Sequence, residues 1–288
     1  MNNQQNEKTY DQKKVVEFIK SEPKILDLIK TMNVTDEEIL NNIISFLKIK
    51  EFFDNSDNAK IGYEIRREAN KKLVFVQKET QSNFTNGLNR FLHLILTDIS
   101  EPDENCLLKT INLSSSNRKN ILKEFKNITK SILQKNNFGN IDGIYLYGKS
   151  NSGKSYLMQA FANFFASNKI LTSYILNDKL FQYIVKNSKE KKQEKNQKVI
   201  ELLKKVNFLI IDNLGLENAK YSSFILNEIL DIIEERNKNN LLTFFSSPYN
   251  IATLKNIYEE KYNTVEEKYR IDKLINLIKN LAKEFNVD

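Results

Sequence analysis

The sequence predicts an α/β fold: a P-loop domain with a parallel sheet flanked by helices, plus a smaller, mostly helical N-terminal domain with a β-hairpin. Three observations carry this. Gly148-Lys149-Ser150-Asn151-Ser152-Gly153-Lys154-Ser155 fits G-x-x-x-x-G-K-[ST] without mismatch, between an apolar run and a helical pattern. From Ile144 onward strand and helix patterns alternate, as they do where helical crossovers cover both faces of a parallel sheet. Phe208-Leu209-Ile210-Ile211-Asp212 is an apolar run that ends in an acid.

The elements follow in chain order. Residues 15–53 read as helices, with Phe18, Ile25, Leu26, Leu28 and Ile29 on one apolar face. Thr35 and Glu38 form a capping-box pattern ahead of Ile39, Leu40, Ile43, Ile44 and Leu47. Residues 61–79 read as a hairpin turning at Asn70-Lys71-Lys72. Residues 80–112 match neither period, and 101–105 (EPDEN) form the best linker, so the domains are expected to be 1–105 and 106–288. Ser116 is the expected N-cap of a helix bearing Ile121, Leu122, Phe125, Ile128, Ile132 and Leu133.

In the second domain a strand at 144–147 leads through the glycine loop into a helix bearing Leu157, Met158, Phe161, Phe164 and Phe165. Strands follow at 170–176, 206–211 and 241–246, with helices from Asp178 and from Ser222 to Arg236, and helices end the chain. The mixed-charge run 186–198 (KNSKEKKQEKNQK) reads as a solvated helix or loop.

Composition narrows the chemistry. The chain has 288 residues, a formal charge of +7, one cysteine and one histidine. Cys106 alone excludes an internal disulfide framework, and with His93 it excludes a multi-ligand Cys/His zinc site, so no zinc is expected. His93 stands in an apolar stretch and reads as a satisfied imidazole. The N-terminal MNNQQNEKTYDQKK lacks a signal-peptide core, and no apolar run approaches the roughly 20 residues of a membrane span. A cytoplasmic protein without membrane contact is expected. The basic balance suits an anionic partner, nucleic acid first.

The glycine loop points backbone N–H groups at a polyphosphate from the positive end of a helix. Lys154 brings a point charge to the outer phosphates, and the Ser155 hydroxyl is placed to ligate magnesium. Asp212, at the end of a strand one βαβ unit further on, is the acid expected to hold the same magnesium.

These residues carry a resemblance. Segments 144–167 (IYLYGKSNSGKSYLMQAFANFFAS), 208–218 (FLIIDNLGLEN) and 242–250 (LTFFSSPYN) resemble the AAA+ module of bacterial replicative helicase loaders of the DnaI/DnaC type. Residues 15–53 are weakly similar to the helical start of DnaI, and 281–285 (LAKEF) to that family's end. The resemblance implies ATP and Mg2+ as ligands. Gly148, Lys149, Ser150, Asn151, Ser152, Gly153, Lys154, Ser155 and Tyr156 would bind ATP, Ser155 and Asp212 would bind magnesium, and Lys154 and Asp212 would carry catalysis. It further implies a hexameric replicative DNA helicase as partner for the N-terminal domain, single-stranded DNA as partner for the ATP-binding domain, and homo-oligomers on the helicase.

Three departures matter. The acid expected after Asp212 is Asn213, a degenerate catalytic position. The sensor Asn expected after Ser246-Ser247 is Pro248. The arginine-rich C-terminal box is represented by Lys273 and Leu277, with Arg270 out of register. An arginine finger alone is worth on the order of 10³–10⁵ in rate, so slow hydrolysis is expected. The rivals are a transposition-helper AAA+ ATPase, a non-hydrolysing primosome adaptor, and a small-molecule P-loop kinase. The kinase is disfavoured by only six arginines in the chain.

Overall fold

The structure, a computed structural model, describes residues 12–54, 59, 61–80, 82–135, 141–189, 192–216 and 223–288. The N-terminal stretch through residue 11, residues 190–191 of the mixed-charge run, the 217–218 end of the second motif and the helix start expected at Ser222 lie outside them. The chain divides into two compact units, Met1–Leu88 and Asn89–Asp288.

In the first unit α1 (12–20), α2 (Pro23–Met32), α3 (Asp36–Asn41) and α4 (Ile43–Asp54) precede a hairpin of β1 (Ile61–Arg67) and β2 (Leu73–Glu79). Pro23 opens α2, and Asn33, left-handed at φ 49°, closes it. The Thr35–Glu38 capping box forms as expected. Arg67 then pins the hairpin to the helices. Its Nη1 donates to Glu38 Oε1 at 2.8 Å and its Nη2 to Oε2 at 3.1 Å, and Nε donates to the Met32 carbonyl at 3.0 Å. This forked bond draws the Glu38 carboxyl down to about 2, helped by the Thr35 backbone N–H.

Two apolar faces differ from expectation. Phe18 is 55% exposed while Val16 and Ile19 are buried, because the chain breaks helix before Pro23 and the face that starts at Ile25 does not extend back. Ile44 and Leu47 are exposed while Phe46 and Ile49 are buried, because α3 stops at Asn41 and α4 starts in a new register.

The division between units falls within α5 (Asn83–His93). The second unit continues through a 3₁₀ turn at Leu108–Thr110 and α6 (Ser116–Lys135). The cap of α6 is Ser115 rather than Ser116, since Ser115 Oγ accepts from Asn117 N at 3.2 Å. Then come β3 (Gly143–Tyr147), α7 (Lys154–Ser167), β4 (Thr172–Leu176), α8 (Asn177–Lys189), α9 (Gln193–Lys205), β5 (Phe208–Asp212), α10 (Ser223–Lys238), β6 (Leu242–Ser247), α11 (Ile251–Lys261), α12 (Val265–Leu281) and β7 (Ala282–Asn286). Chain helices therefore do not end the fold: Ala282 is extended, and β7 pairs in parallel with β3 from Gly143↔Ala282 to Tyr147↔Asn286. The sheet runs β4-β5-β6-β3-β7, parallel throughout.

Residues 101–105, expected to be a linker, belong to the second unit. Asn163 of α7 is buried and donates to the Asp103 and Cys106 carbonyls at 2.8 and 3.0 Å, and Asp103 N donates to Gln159 Oε1 at 2.7 Å. Arg90 adds Nε to Asn163 Oδ1 at 2.8 Å. The boundary expected after residue 105 thus falls inside this unit.

Strand alternation builds two cores. Ile144, Leu146, Phe208, Ile210 and Phe244 face α6 and α7, and Tyr145, Leu209, Ile211 and Phe245 face the helices after β4. Phe125 stacks on Phe161 at 4.1 Å, and Phe208 meets Phe244 edge-on at 4.8 Å. Each such fully buried ring contributes about 2–3 kcal/mol. At Gly143 a Cβ would sit 1.9 Å from the Thr243 carbonyl oxygen, so the β3–β6 approach requires glycine. Arg236, fully buried, ties down the lower edge with bonds to the Leu203, Val206 and Leu242 carbonyls and to Thr243 Oγ1. Burial lowers its guanidinium to about 9, which leaves it charged at neutral pH. Among the described residues no helix is long and apolar enough to cross a membrane.

Candidate functional site

Because β4 follows β3 in the chain but lies three positions away in the sheet, β3 marks a point where the strand order reverses. Open parallel sheets bind ligands in the crevice outside the carboxyl ends of the strands at such points. The glycine loop leaves β3 into this crevice. Gly153 at φ 88° and Asn151 at φ 63° curl it through left-handed backbone, and Gly153 caps α7. Lys154 is buried, and its Nζ donates to the Gly148 and Lys149 carbonyls at 2.7 Å each. Burial lowers the Lys154 pKa, against the pull of Asp288 and Asp212.

A cavity of about 420 Å³ opens over the loop. Ser150, Asn151, Gly153, Lys154, Ser155 and Tyr156 line one side, and Asn213, Leu216 and Pro248 the other. The structure thus brings both degenerate positions, Asn213 and Pro248, to the loop. Gly148, Lys149, Ser152 and Asp212 are not among the residues that line it. The Tyr156 hydroxyl also ties the loop helix to the preceding turn, accepting from Leu107 N at 3.2 Å.

Asp212 has no exposed surface. Tyr174 OH donates to its Oδ2 at 2.6 Å, and the Ser246 hydroxyl donates to its Oδ1. Asn213, left-handed at φ 69°, donates its backbone N–H to Ser246 Oγ at 3.1 Å. Leu214 N reaches the Ser246 carbonyl at 2.8 Å, so the ends of β5 and β6 are laced together at the crevice. Burial and the Asp212 charge raise the Tyr174 pKa far above its usual value, which keeps the phenol a donor.

The C-terminal candidates lie elsewhere. Lys273 pairs with Glu234 at 2.7 Å, Arg270 with Glu266, and Leu277 packs against the helical core. None of the three lines the cavity. His93 Nδ1 lies 2.8 Å from the Asn89 carbonyl, as a satisfied imidazole would.

The donor set fits a phosphate chain with a hard cation. Lys149 N–H already donates to the Asp288 carboxylate, at 3.0 Å to Oδ1, so the loop accepts an oxyanion. Ser155 and Asp212 offer oxygen donors of the kind magnesium takes, alongside phosphate oxygens and water. Among the described residues no three His, Cys, Asp or Glu side chains gather to hold a metal by themselves.

Four residues at the site went unread in the sequence: Tyr174, Ser246, Asp288 and Arg118. Arg118 Nη2 donates to the Ser152 carbonyl at 3.1 Å, beside a second cavity of about 200 Å³ that also touches Ile111, Tyr156 and Leu157. No motif spacing marks Tyr174, Asp288 or Arg118, which the tertiary fold places, and Ser246 stands inside the 242–250 segment without a role that the sequence assigns to it.

The family description of the bacterial DnaA ATPase domain matches residues 113–265, more than half of the chain. The replicative helicase loader DnaI of Bacillus subtilis (strain 168) is 27% identical over 165 residues, 57% of this chain and 51% of that protein. The match therefore spans about half the length of that relative. A crystal structure of DnaI is similar with a TM-score of 0.54 at 22% identity, covering 68% of this chain and 97% of that one. AMPPCP-bound DnaA from Aquifex aeolicus is similar with a TM-score of 0.50 at 16% identity, covering 65% and 52%. At these identities the structural likeness is one of fold.

Proposed function

We propose, from the premise that this chain belongs to the bacterial DnaA ATPase-domain family, that it is an ATP-binding replicative helicase loader of the DnaI/DnaC type. In this reading ATP binding sets a conformation that engages the hexameric helicase through the N-terminal unit and single-stranded DNA through the ATP-binding unit. The observation that carries the reading is that Lys154 and Ser155 of the loop line one cavity together with Asn213, the residue that follows Asp212 at the carboxyl end of β5. The likeness to DnaI selects the loader over a transposition helper. The DnaA structure with AMPPCP supports an adenine nucleotide as the ligand.

Each residue has a task. The loop amides and Lys154 hold and neutralise phosphate oxygens. Ser155 and Asp212 would hold magnesium, which supplies charge stabilisation at the phosphates when bound. Hydrolysis needs a positioned water and a base besides. Asn213 stands at the crevice as an amide, which hydrogen-bonds water but takes up no proton. Pro248 offers no side-chain polar group, and no described arginine lines that cavity. Binding without appreciable turnover follows, and this favours a second reading as a non-hydrolysing primosome adaptor.

Capture of the replicative helicase by the purified chain, with ATP, ADP or no nucleotide, tests the proposal. Nucleotide-dependent capture is expected, with little phosphate release in the presence of single-stranded DNA. Lys154→Ala is expected to weaken nucleotide binding at least a hundredfold and to remove the dependence. Robust turnover abolished by that substitution would refute the non-hydrolysing part. Nucleotide-insensitive capture would favour the adaptor.

A further inference from the structure

Asp212 is a buried carboxylate whose two oxygens carry donors from two different strands. Tyr174 of β4 binds Oδ2 at 2.6 Å, and Ser246 of β6 binds Oδ1. A buried carboxylate needs such donors. These two do more than satisfy it, because they approach opposite oxygens and so fix the plane of the group. Each oxygen has a further lone pair for a cation or its water. Gln159 of α7 sets the direction of the first bond. Its Oε1 is committed to Asp103 N at 2.7 Å, so its amide N–H side is what it offers the neighbouring Tyr174 phenol. The phenol then donates to Asp212.

We propose that Tyr174, with Ser246, is a positioning residue that holds the Asp212 carboxylate in the orientation a divalent cation requires. The inference rests on the nucleotide-binding reading above. It concerns the metal dependence of binding, not the affinity of the loop for phosphate. Outer partners of ligating carboxylates typically govern metal affinity by about 10–100-fold. Tyr174 does not line the loop cavity. A role in stability alone would leave the magnesium dependence unchanged.

The test uses the full chain and a fluorescent, non-hydrolysable ATP analogue, with binding followed by anisotropy. Magnesium is titrated at fixed analogue, and a parallel arm contains EDTA. For Tyr174→Phe the midpoint in magnesium is expected to rise about tenfold while affinity in EDTA stays at the wild-type value. Electron paramagnetic resonance of Mn2+ should show a matching loss of bound ion. Should Tyr174→Phe fail to fold, Ser246→Ala takes the same test with the same expectation. A wild-type magnesium midpoint in the folded variant overturns the proposal, as does an equal loss of affinity with and without EDTA. If the wild-type chain binds no nucleotide while folded, the functional reading fails and this one with it. Wild-type binding with an unshifted variant sinks this inference alone.

Discussion

Asp288 places a carboxylate against the loop that should receive phosphate. Lys149 N–H donates to it at 3.0 and 3.2 Å, its Oδ1 is 2.9 Å from where a Gly148 Cβ would stand, and Asn117 Nδ2 holds its backbone carbonyl at 2.6 Å. A polyphosphate on the same amides must displace that carboxylate or bind beside a like charge. Asp288→Asn is therefore expected to tighten nucleotide binding. The side chain is exposed, which limits the gain to about 1 kcal/mol, roughly fivefold. Calorimetric titration with an ATP analogue checks this, and unchanged or weaker binding counts against the competition. The loop itself was legible because its chemistry is consecutive: Gly148, Gly153, Lys154 and Ser155 must follow one another for the backbone to curl. Asp288, Tyr174 and Ser246 reach the site from remote segments, and only strand order brings them there.

Elements were legible where one local rule decides them. Thr35 and Glu38 make their capping box because both partners lie within one turn, and the 61–79 hairpin pairs with Arg67 opposite Leu73. Helix registers failed where breaks interrupt the period, at Pro23 and after Asn41, since a hydrophobic face is defined only within one unbroken helix. The last strand failed for another reason. Residues 282–286 have little alternation, and β7 is an edge strand that the pairing with β3 makes. The Arg67–Glu38 bond joins a helix to the hairpin and gives this unit an acid dependence. Glu38 is held near 2 in the fold against an ordinary value of 4.5, by the Arg67 bond first and the Thr35 N–H next. A depressed folded value means that its stabilisation is complete above pH 4.5 and is lost as pH falls toward 2. Glu64, held near 2 by Arg66 and Lys78, titrates in the same window. Hydrogen exchange of the hairpin amides should show protection falling between pH 4.5 and 2. Glu38→Gln should start less protected at pH 7 and show a shallower fall, and an identical slope would contradict the role given to this bond.

At the scale of the whole molecule, the boundary between units is a question of which backbone groups residues 89–105 satisfy. The composition of 101–105 suggested a linker, yet acidic and proline-bearing segments also form ordered surface loops when a buried side chain reads their carbonyls. Asn163 does so here, with the Asp103 and Cys106 carbonyls on its Nδ2 and Arg90 Nε on its Oδ1. Ile95 N also donates to the Thr172 carbonyl at 3.0 Å, extending the edge of the sheet at β4, and Leu94 is buried there. A chain starting at Asn89 keeps all of these bonds. One starting at Cys106 retains only the Cys106 carbonyl for Asn163, strands its buried Oδ1 and exposes the edge that Leu94 and Ile95 cover. Each stranded buried polar group costs about 1–3 kcal/mol, and uncovering apolar side chains adds to it. Residues 89–288 are therefore expected to unfold in urea as one cooperative transition, while 106–288 is less stable by on the order of 4 kcal/mol. Equal midpoints and slopes for the two fragments would return the boundary to residue 105.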